Sequence, residues 1–324
     1  MPLLEAADKV EIRILVDNAT DMLSSNPPFV ESESAYINRR RLKVSASRCL
    51  CCAVHGLSCL VTAHRGDKSH TVLFDTGPED YAFERNVTRL DADLGTVESI
   101  VLSHGHWDHA GAMLLALGMI RGRNGGRDVP FYAHPGMFHT RGVRQPNGNV
   151  RQMEDVPSLT DLKDFGADVI VTTEPQSFLD GLFYVSGEIP RVTSYERGYP
   201  GQMRRKTDGN WEPDELLIDE RWLAVNVAGK GLVVFSACSH GGIVNVCRHV
   251  RATFPEIPIH CVMGGLHLSG PNEEIIPQTV ADLAEFGIPV IAAGHCTGWR
   301  AMTALANAFG AALAPTAVGK QFTF

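Results

Sequence analysis

The sequence predicts an α/β protein in which two sheets pack face to face with helices outside, an αββα four-layer sandwich carrying an inserted irregular region. Three observations lead there. Strand-like runs dominate the first third of the chain, and strand-then-helix units fill the last third, an order that suits two stacked sheets. Three such units follow one another from residue 231 onward. Hydrophobic residues make up 44% of 324 residues and charged ones 20%, which is enough apolar material for one large core.

Val10 to Val16 alternates apolar and charged residues and reads as the first strand. Asp17 to Ser47 is polar, holds Pro27-Pro28 and Arg39-Arg40-Arg41, and reads as a long loop that could act as a lid. His55 to Val61 and Thr71 to Phe74 read as paired strands. Tyr81 to Leu90 reads as a short helix, Ser99 to Leu102 as a buried strand, and Ala110 to Leu117 as a helix. Pro130 to His134 is a strand after the glycine-rich turn at Arg123-Asn124-Gly125-Gly126. Residues 135–222 carry the turn-like runs Gln145-Pro146-Asn147-Gly148 and Thr207-Asp208-Gly209-Asn210. They are expected to elaborate a single domain, 1–324, over its active site. Trp222 to Val227 and Gly231 to Phe235 form a hairpin around Gly229-Lys230. The strands of the three closing units are Gly231 to Phe235, Ile259 to Met263 and Pro289 to Ala293. Their helices are Ile243 to Phe254, Ile276 to Phe286 and Trp299 to Phe309, and Gln321 to Phe324 is a last short strand.

Composition narrows the function classes. A net charge of −8 argues against a nucleic-acid backbone as main partner. No apolar run is long enough to span a membrane, and Met1 to Asp17 lacks the basic start and apolar core of a signal peptide. The expectation is a cytoplasmic protein acting on a small molecule. Four of the eight cysteines cluster at Cys49, Cys51, Cys52 and Cys59, without paired C-x-x-C spacing, and are expected to be reduced and partly buried.

The chemistry concentrates in Ser103-His104-Gly105-His106-Trp107-Asp108-His109, an H-x-H-x-D-H pattern on a strand-to-helix loop. Imidazoles with a neighbouring carboxylate suit divalent transition metals. His104 and His106, two apart in extended chain, point the same way. Asp108 and His109 reach in from the helix side, so the loop can serve two ions. Each of the last three strands also ends in a histidine-bearing loop: Cys238-Ser239-His240-Gly241-Gly242, Gly264-Gly265-Leu266-His267 and Gly294-His295-Cys296-Thr297-Gly298. Strand ends of α/β sheets are where ligands gather, so these loops are expected to converge.

The H-x-H-x-D-H loop, together with Leu73-Phe74-Asp75-Thr76-Gly77 upstream, resembles the signature of the metallo-β-lactamase superfamily. His55-Gly56-Leu57-Ser58, Gly187-Glu188-Ile189-Pro190-Arg191 and the three histidine loops resemble one branch of it, whose members are often labelled dihydropterin ribofuranosyl-aminobenzene phosphate synthase-like. The resemblance implies the same αββα sandwich. It also implies a mono- or dinuclear site, zinc by preference, with iron or manganese as alternatives. His104, His106 and His240 would hold one ion, and Asp108, His109 and His295 a second. Asp75 would support the ligand loop. The pattern departs from the superfamily's in one place: where a metal-bridging Asp is expected, this chain has Cys238. Either His240 supplies the missing ligand or the second site is weak.

These readings point to a hydrolase that activates water against an ester, lactone or phosphoester, with Asp108 and His267 as catalytic candidates. Arg191 and Arg300 are candidates for an anionic substrate group. Three alternatives remain: a metal-dependent synthase or transferase on a phosphorylated pterin-like substrate, a redox di-iron protein, and a metal-binding protein without catalysis. His134 is expected to be structural or supporting. His64, His70, His139, His249 and His260 are expected to be solvated or satisfied.

Overall fold

A computed structural model describes residues 2–43 and 49–324, so positions 44–47 of the expected loop lie outside the described residues. Period-2 patterning builds the first sheet. In Lys9–Val16, Val10, Ile12 and Ile14 are buried, while Lys9, Glu11 and Arg13 face the other way. This strand pairs with Ser58–Arg65, which continues through Lys68–Phe74, Val97–Val101 and Val129–Ala133 to the edge strand Ala167–Val171. On its other side lies Gln321–Thr323, inserted between Lys9–Val16 and Val30–Glu31.

The second sheet runs Gln176–Phe178, Phe183–Val185, Leu223–Val227, Gly231–Ser236, Ile259–Gly265 and Val290–Gly294, with Ala6–Ala7 pairing Leu223–Val227. Gly231–Ser236 is buried along its whole length, as a strand covered on both faces must be. Phe74 and Phe235 meet between the sheets in one apolar layer. Asp80–Arg89 and Met113–Arg123 seal the outer face of the first sheet through Phe83, Val87, Ala116 and Ile120. Ile243–Thr253, Ile276–Ala284 and Trp299–Phe309 seal the second through residues such as Val246, Leu283 and Leu305. The expected αββα sandwich is therefore the observed fold.

Two stretches are more regular than their sequence suggests. The loop after Val16 contains Val30–Glu31 and the helix Glu33–Arg39, capped by the Ser32 hydroxyl accepting from Ala35 N. Within 135–222, Arg141–Arg144, Val150–Gln152, Gln202–Arg205 and Trp211–Pro213 form a third, antiparallel sheet. The turn signals at Asn147-Gly148 and Asp208-Gly209 sit at its hairpin bends. Its strands carry arginines and glutamines, which hid them from apolar patterning. The helix expected from Ala110 instead splits into a turn, Trp107–Ala110, and the helix Met113–Arg123. No helix among the described residues is long and apolar enough to cross a membrane.

Candidate metal centre

The ends of five strands deliver side chains to one wall between the sheets. Lys68–Phe74 runs into Asp75, which is buried and has a positive φ of 57°. Its carboxylate accepts from Ser103 N at 2.8 Å, Ser103 Oγ at 2.7 Å and His109 Nδ1 at 2.7 Å. Because the Ser103 hydroxyl donates to Asp75, it accepts from His104 Nδ1 at 2.9 Å. Both rings thus carry hydrogen on Nδ1 and turn Nε2 inward, the arrangement a metal ligand needs, with the His104 lone pair free and that of His109 available on loss of its second proton. Gly105 makes the tight loop possible, since a Cβ there would lie 2.2 Å from Met137 O. Arg141 ties this loop down by bonding Gly105 O and the Asp214 and Asp219 carboxylates.

The second sheet contributes Cys238 and His240, His267, and His295 with Cys296 from three successive strand ends. Ser239, His267 and His295 all have positive φ, at 58°, 43° and 47°. Such backbone is costly outside glycine and recurs at functional sites. His240 N and Gly241 N donate to the Glu220 carboxylate, which fixes the loop. The His240 ring is buried with neither nitrogen hydrogen-bonded. It lies 4.8 Å from the His104 ring and 4.9 Å from that of His106.

Cys238 Sγ is the hub. It lies 3.2 Å from His109 Nε2, 3.2 Å from His295 Nε2 and 3.4 Å from Cys296 Sγ. Asp108 Oδ2 is 3.4 Å from His295 Nε2 and 3.6 Å from His109 Nε2. Ligand atoms of three groups fall within 4.8 Å of one another: Asp108, His109, Cys238 and His295; His104, Cys238 and His240; and Cys238, His267 and Cys296. His106 joins through Nδ1, 3.1 Å from His104 Nε2.

Burial, and then the neighbouring rings, push His104 and His240 well below the usual imidazole range, and burial brings His106 to about 3. These rings are neutral with free lone pairs. Burial opposes the charge on His109, but Asp108 and Asp75 overcome it and raise that ring to about 9. Burial likewise opposes ionisation of Asp108, and His109 and His295 outweigh it and hold the carboxyl below its usual range. Burial pushes the Cys238 thiol up; burial also opposes ionisation of Cys296, but the contact with Cys238 and the neighbouring histidines outweigh it and bring that thiol down. An orphaned buried imidazole, inward lone pairs, an ionised carboxylate and a thiol pair together fit a transition-metal site.

The expected residues His104, His106, Asp108, His109, Cys238, His240, His267 and His295 meet here, with Asp75 behind them. Arg191 and Arg300 do not join them. The Arg191 guanidinium is spent on Ile189 O, Leu216 O and Leu217 O beneath the Cys238–Gly242 loop. Arg300 is exposed, pairs with Glu273 at 3.2 Å and stacks on Trp299. Among the described residues, no Lys or Arg lines the cavity of about 740 Å³ that opens onto the cluster. Its walls include Tyr81, Trp107, Met153 and Tyr199. His134 accepts from Gly136 N and meets Glu188.

Sequence reasoning missed Cys296, Gln202, Asn18 and a site role for His55. The cysteine adjoins His295, so its signal was present. Gln202 comes from the third sheet, and Nε2 of its buried amide lies 3.1 Å from His106 Nε2. Only tertiary pairing places it there.

Comparison with known proteins agrees with this geometry. The sequence signature of the metallo-beta-lactamase superfamily matches residues 55–117. The chain is similar to 7,8-dihydropterin-6-methyl-4-(beta-D-ribofuranosyl)-aminobenzene-5'-phosphate synthase of Methanocaldococcus jannaschii, 28% identical over 249 residues, covering 76% of this chain and 82% of that one. An uncharacterized protein of the same organism is 28% identical over 257 residues, covering 79% and 88%. The structure of a metal-dependent hydrolase of the beta-lactamase superfamily superposes with a TM-score of 0.70 at 21% identity, covering 97% and 98% of the two chains. A metallo-beta-lactamase fold protein from Bacillus subtilis gives 0.51 at 11% identity, covering 98% and 100%. The H-x-H-x-D-H loop lies inside the stretch that matches the superfamily's signature, and the chain as a whole has the metallo-β-lactamase fold.

Proposed function

We propose that this protein is a metal-dependent hydrolase of a small, weakly charged ester- or lactone-type substrate. One observation carries the reading: the imidazoles of His104, His106, His109, His240 and His295 converge with Asp108 and Cys238 behind a cavity wall that His106, Asp108, Cys238 and His240 line, and the His240 ring nitrogens have no hydrogen-bond partner. His104, His106 and His240 would hold one ion, zinc by preference. Asp108, His109, His295 and Cys238 would hold a second. Such ions lower the pKa of a coordinated water and polarise the bond under attack.

The chain's own residues do the rest. The ionised Asp108 carboxylate, partly open to the cavity, orients the attacking water by accepting its hydrogen bond. His267 faces the same space from the opposite strand end and is placed to donate to the departing oxygen. Tyr81, Trp107 and Tyr199 hold the organic part of the substrate and exclude water from around it. The absence of Arg and Lys from the described cavity wall favours a substrate without a dense anionic group.

The similarity to the pterin-phosphate synthase supports a second reading, a synthase on a phosphorylated pterin-like substrate, with the same residues. Elemental analysis of protein purified without chelator is expected to give stoichiometric transition metal, and protein lacking it would overturn both readings. A panel of lactone, thioester, phosphodiester and phosphomonoester substrates, read by mass spectrometry, separates them. Cleavage of lactone or ester supports the hydrolase. Inertness to all four classes, with a condensed product from a phosphorylated pterin, would replace it by the synthase.

A further inference from the structure

The end of Lys9–Val16 places Asn18 between His55, which lines the cavity, and His295, which lies behind its wall beside Cys238. Four hydrogen bonds meet at its amide. Gly56 N donates to Asn18 Oδ1 at 3.0 Å, and Asn18 Nδ2 donates to His295 O at 3.1 Å. A backbone N–H can only donate and a carbonyl can only accept, so these two contacts fix which end of the amide is oxygen. The other two contacts are then determined. His295 Nδ1 lies 2.9 Å from the amide oxygen and must carry a hydrogen. His55 Nδ1 lies 3.0 Å from the amide nitrogen and must be a bare acceptor.

We propose that Asn18 is a positioning residue that sets His295 and His55 in opposite tautomers, so that His55 offers an Nε2–H donor to the substrate. His295 is held with hydrogen on Nδ1, which makes Nε2 the atom that faces Cys238 Sγ and Asp108 Oδ2, 3.2 and 3.4 Å away, and the one left for a metal. Asp17 Oδ1 accepts from His295 N and steadies the same residue. His55 is held as the Nε2–H form. That nitrogen lies 3.4 Å from Asp108 Oδ2, at the mouth of the cavity, and the ring is largely exposed. His55 thus supplies a neutral donor in a cavity whose described walls carry no Lys or Arg, suited to a carbonyl, ester or hydroxyl oxygen. Asn18 is itself exposed, so its contribution is orientation rather than burial.

The inference rests on the site reading above, but its test needs no turnover, and its first arm needs no metal. Metal-free protein labelled with nitrogen-15 in histidine, read by long-range proton–nitrogen correlation, reports each tautomer directly. Single His55→Gln and His295→Gln variants assign the signals. The expected result is Nδ1–H for His295 and Nε2–H for His55, and the reverse for either ring overturns the proposal. Asn18→Asp keeps the acceptor and loses the donors at nearly unchanged size. It should leave His295 as it was and turn His55 to the Nδ1–H form, since a carboxylate oxygen then faces that nitrogen. Asn18→Leu should release both rings and weaken zinc binding about 10–100-fold, the usual effect of losing a ligand's supporting partner. Unchanged His55 signals in the Asp variant, or equal zinc affinity in the two variants, would also overturn it. A protein that shows the expected tautomers but no catalysis would count against the hydrolase and leave this assignment standing.

Discussion

A buried carboxylate with three donors decides how the first ligand loop is used. Asp75 receives Ser103 N, Ser103 Oγ and His109 Nδ1, and through Ser103 it also fixes His104. Asp75→Asn sets an amide N–H against one of those donors. The expected cost is about 1–3 kcal/mol of stability, because a buried donor loses its partner. Zinc affinity should fall about 10–100-fold. Urea denaturation and metal titration check the two numbers, and a variant with wild-type zinc affinity would remove Asp75 from the support of the site. Cys238→Ser tests the thiol that stands in a carboxylate's usual position. Cys238 enters all three ligand groups, so the serine variant should lose the Asp108–His109–His295 ion first. Equal occupancy of both ions by elemental analysis would make Cys238 a structural thiol.

The third sheet and the strand Gln321–Thr323 act through single long-range contacts. Gln202 presents its amide nitrogen to His106 Nε2 while its buried Oε1 has no partner. Turning the amide over gives that oxygen the Nε2–H that a ring ligating through Nδ1 must carry. Gln202→Leu should therefore weaken the His104–His106–His240 ion about tenfold, with the supporting-partner effect as guide. The other ion should be unaffected. Competition with a chelating dye measures this, and equal weakening of both ions would refute it. Near Gln321–Thr323, the buried Lys320 ammonium donates to Asp21 at 2.9 Å. Burial raises the Asp21 carboxyl, but the bonds from Lys320 and Ser24 outweigh it and hold it at about 2. A carboxyl depressed in the folded state stabilises above its unfolded pKa, near 3.8, and loses that contribution as pH falls toward 2. Asp21→Asn should lower the urea midpoint at pH 7, with the difference from wild type shrinking as pH falls from about 4 toward 2. A constant difference across that window would show that the pair does not titrate as described. Elements of this kind mark the limit of sequence reading. Strands with apolar alternation and the strand-end histidines were legible because the signal is local. Gln202, Asn18 and the third sheet were not, since their partners lie up to 277 residues away.

At the scale of the molecule, the proposed ion sites draw on loops from both sheets, so metal bound there would link the two halves of the sandwich. Adding zinc to chelator-treated protein should raise the melting temperature in proportion to occupancy. About 4 kcal/mol is expected when free zinc exceeds Kd by a thousandfold. His240→Ala should shrink that increment, and an unchanged melting curve with and without zinc would deny the link. Gln321–Thr323 lies between Lys9–Val16 and Val30–Glu31, pairing Gln321 with Arg13 and Glu31. A ribosome delivers Lys9–Val16 and Val30–Glu31 long before the strand that must slot between them. Until then the first sheet keeps an unfilled seam, and Phe322, fully buried in the finished fold, has no counterpart to cover its place. Translation that stalls a few codons short of residue 321 would leave nearly every element synthesised yet the sheet unclosed. A sheet without that strand displays two unpaired edges, each free to pair wrongly with another chain.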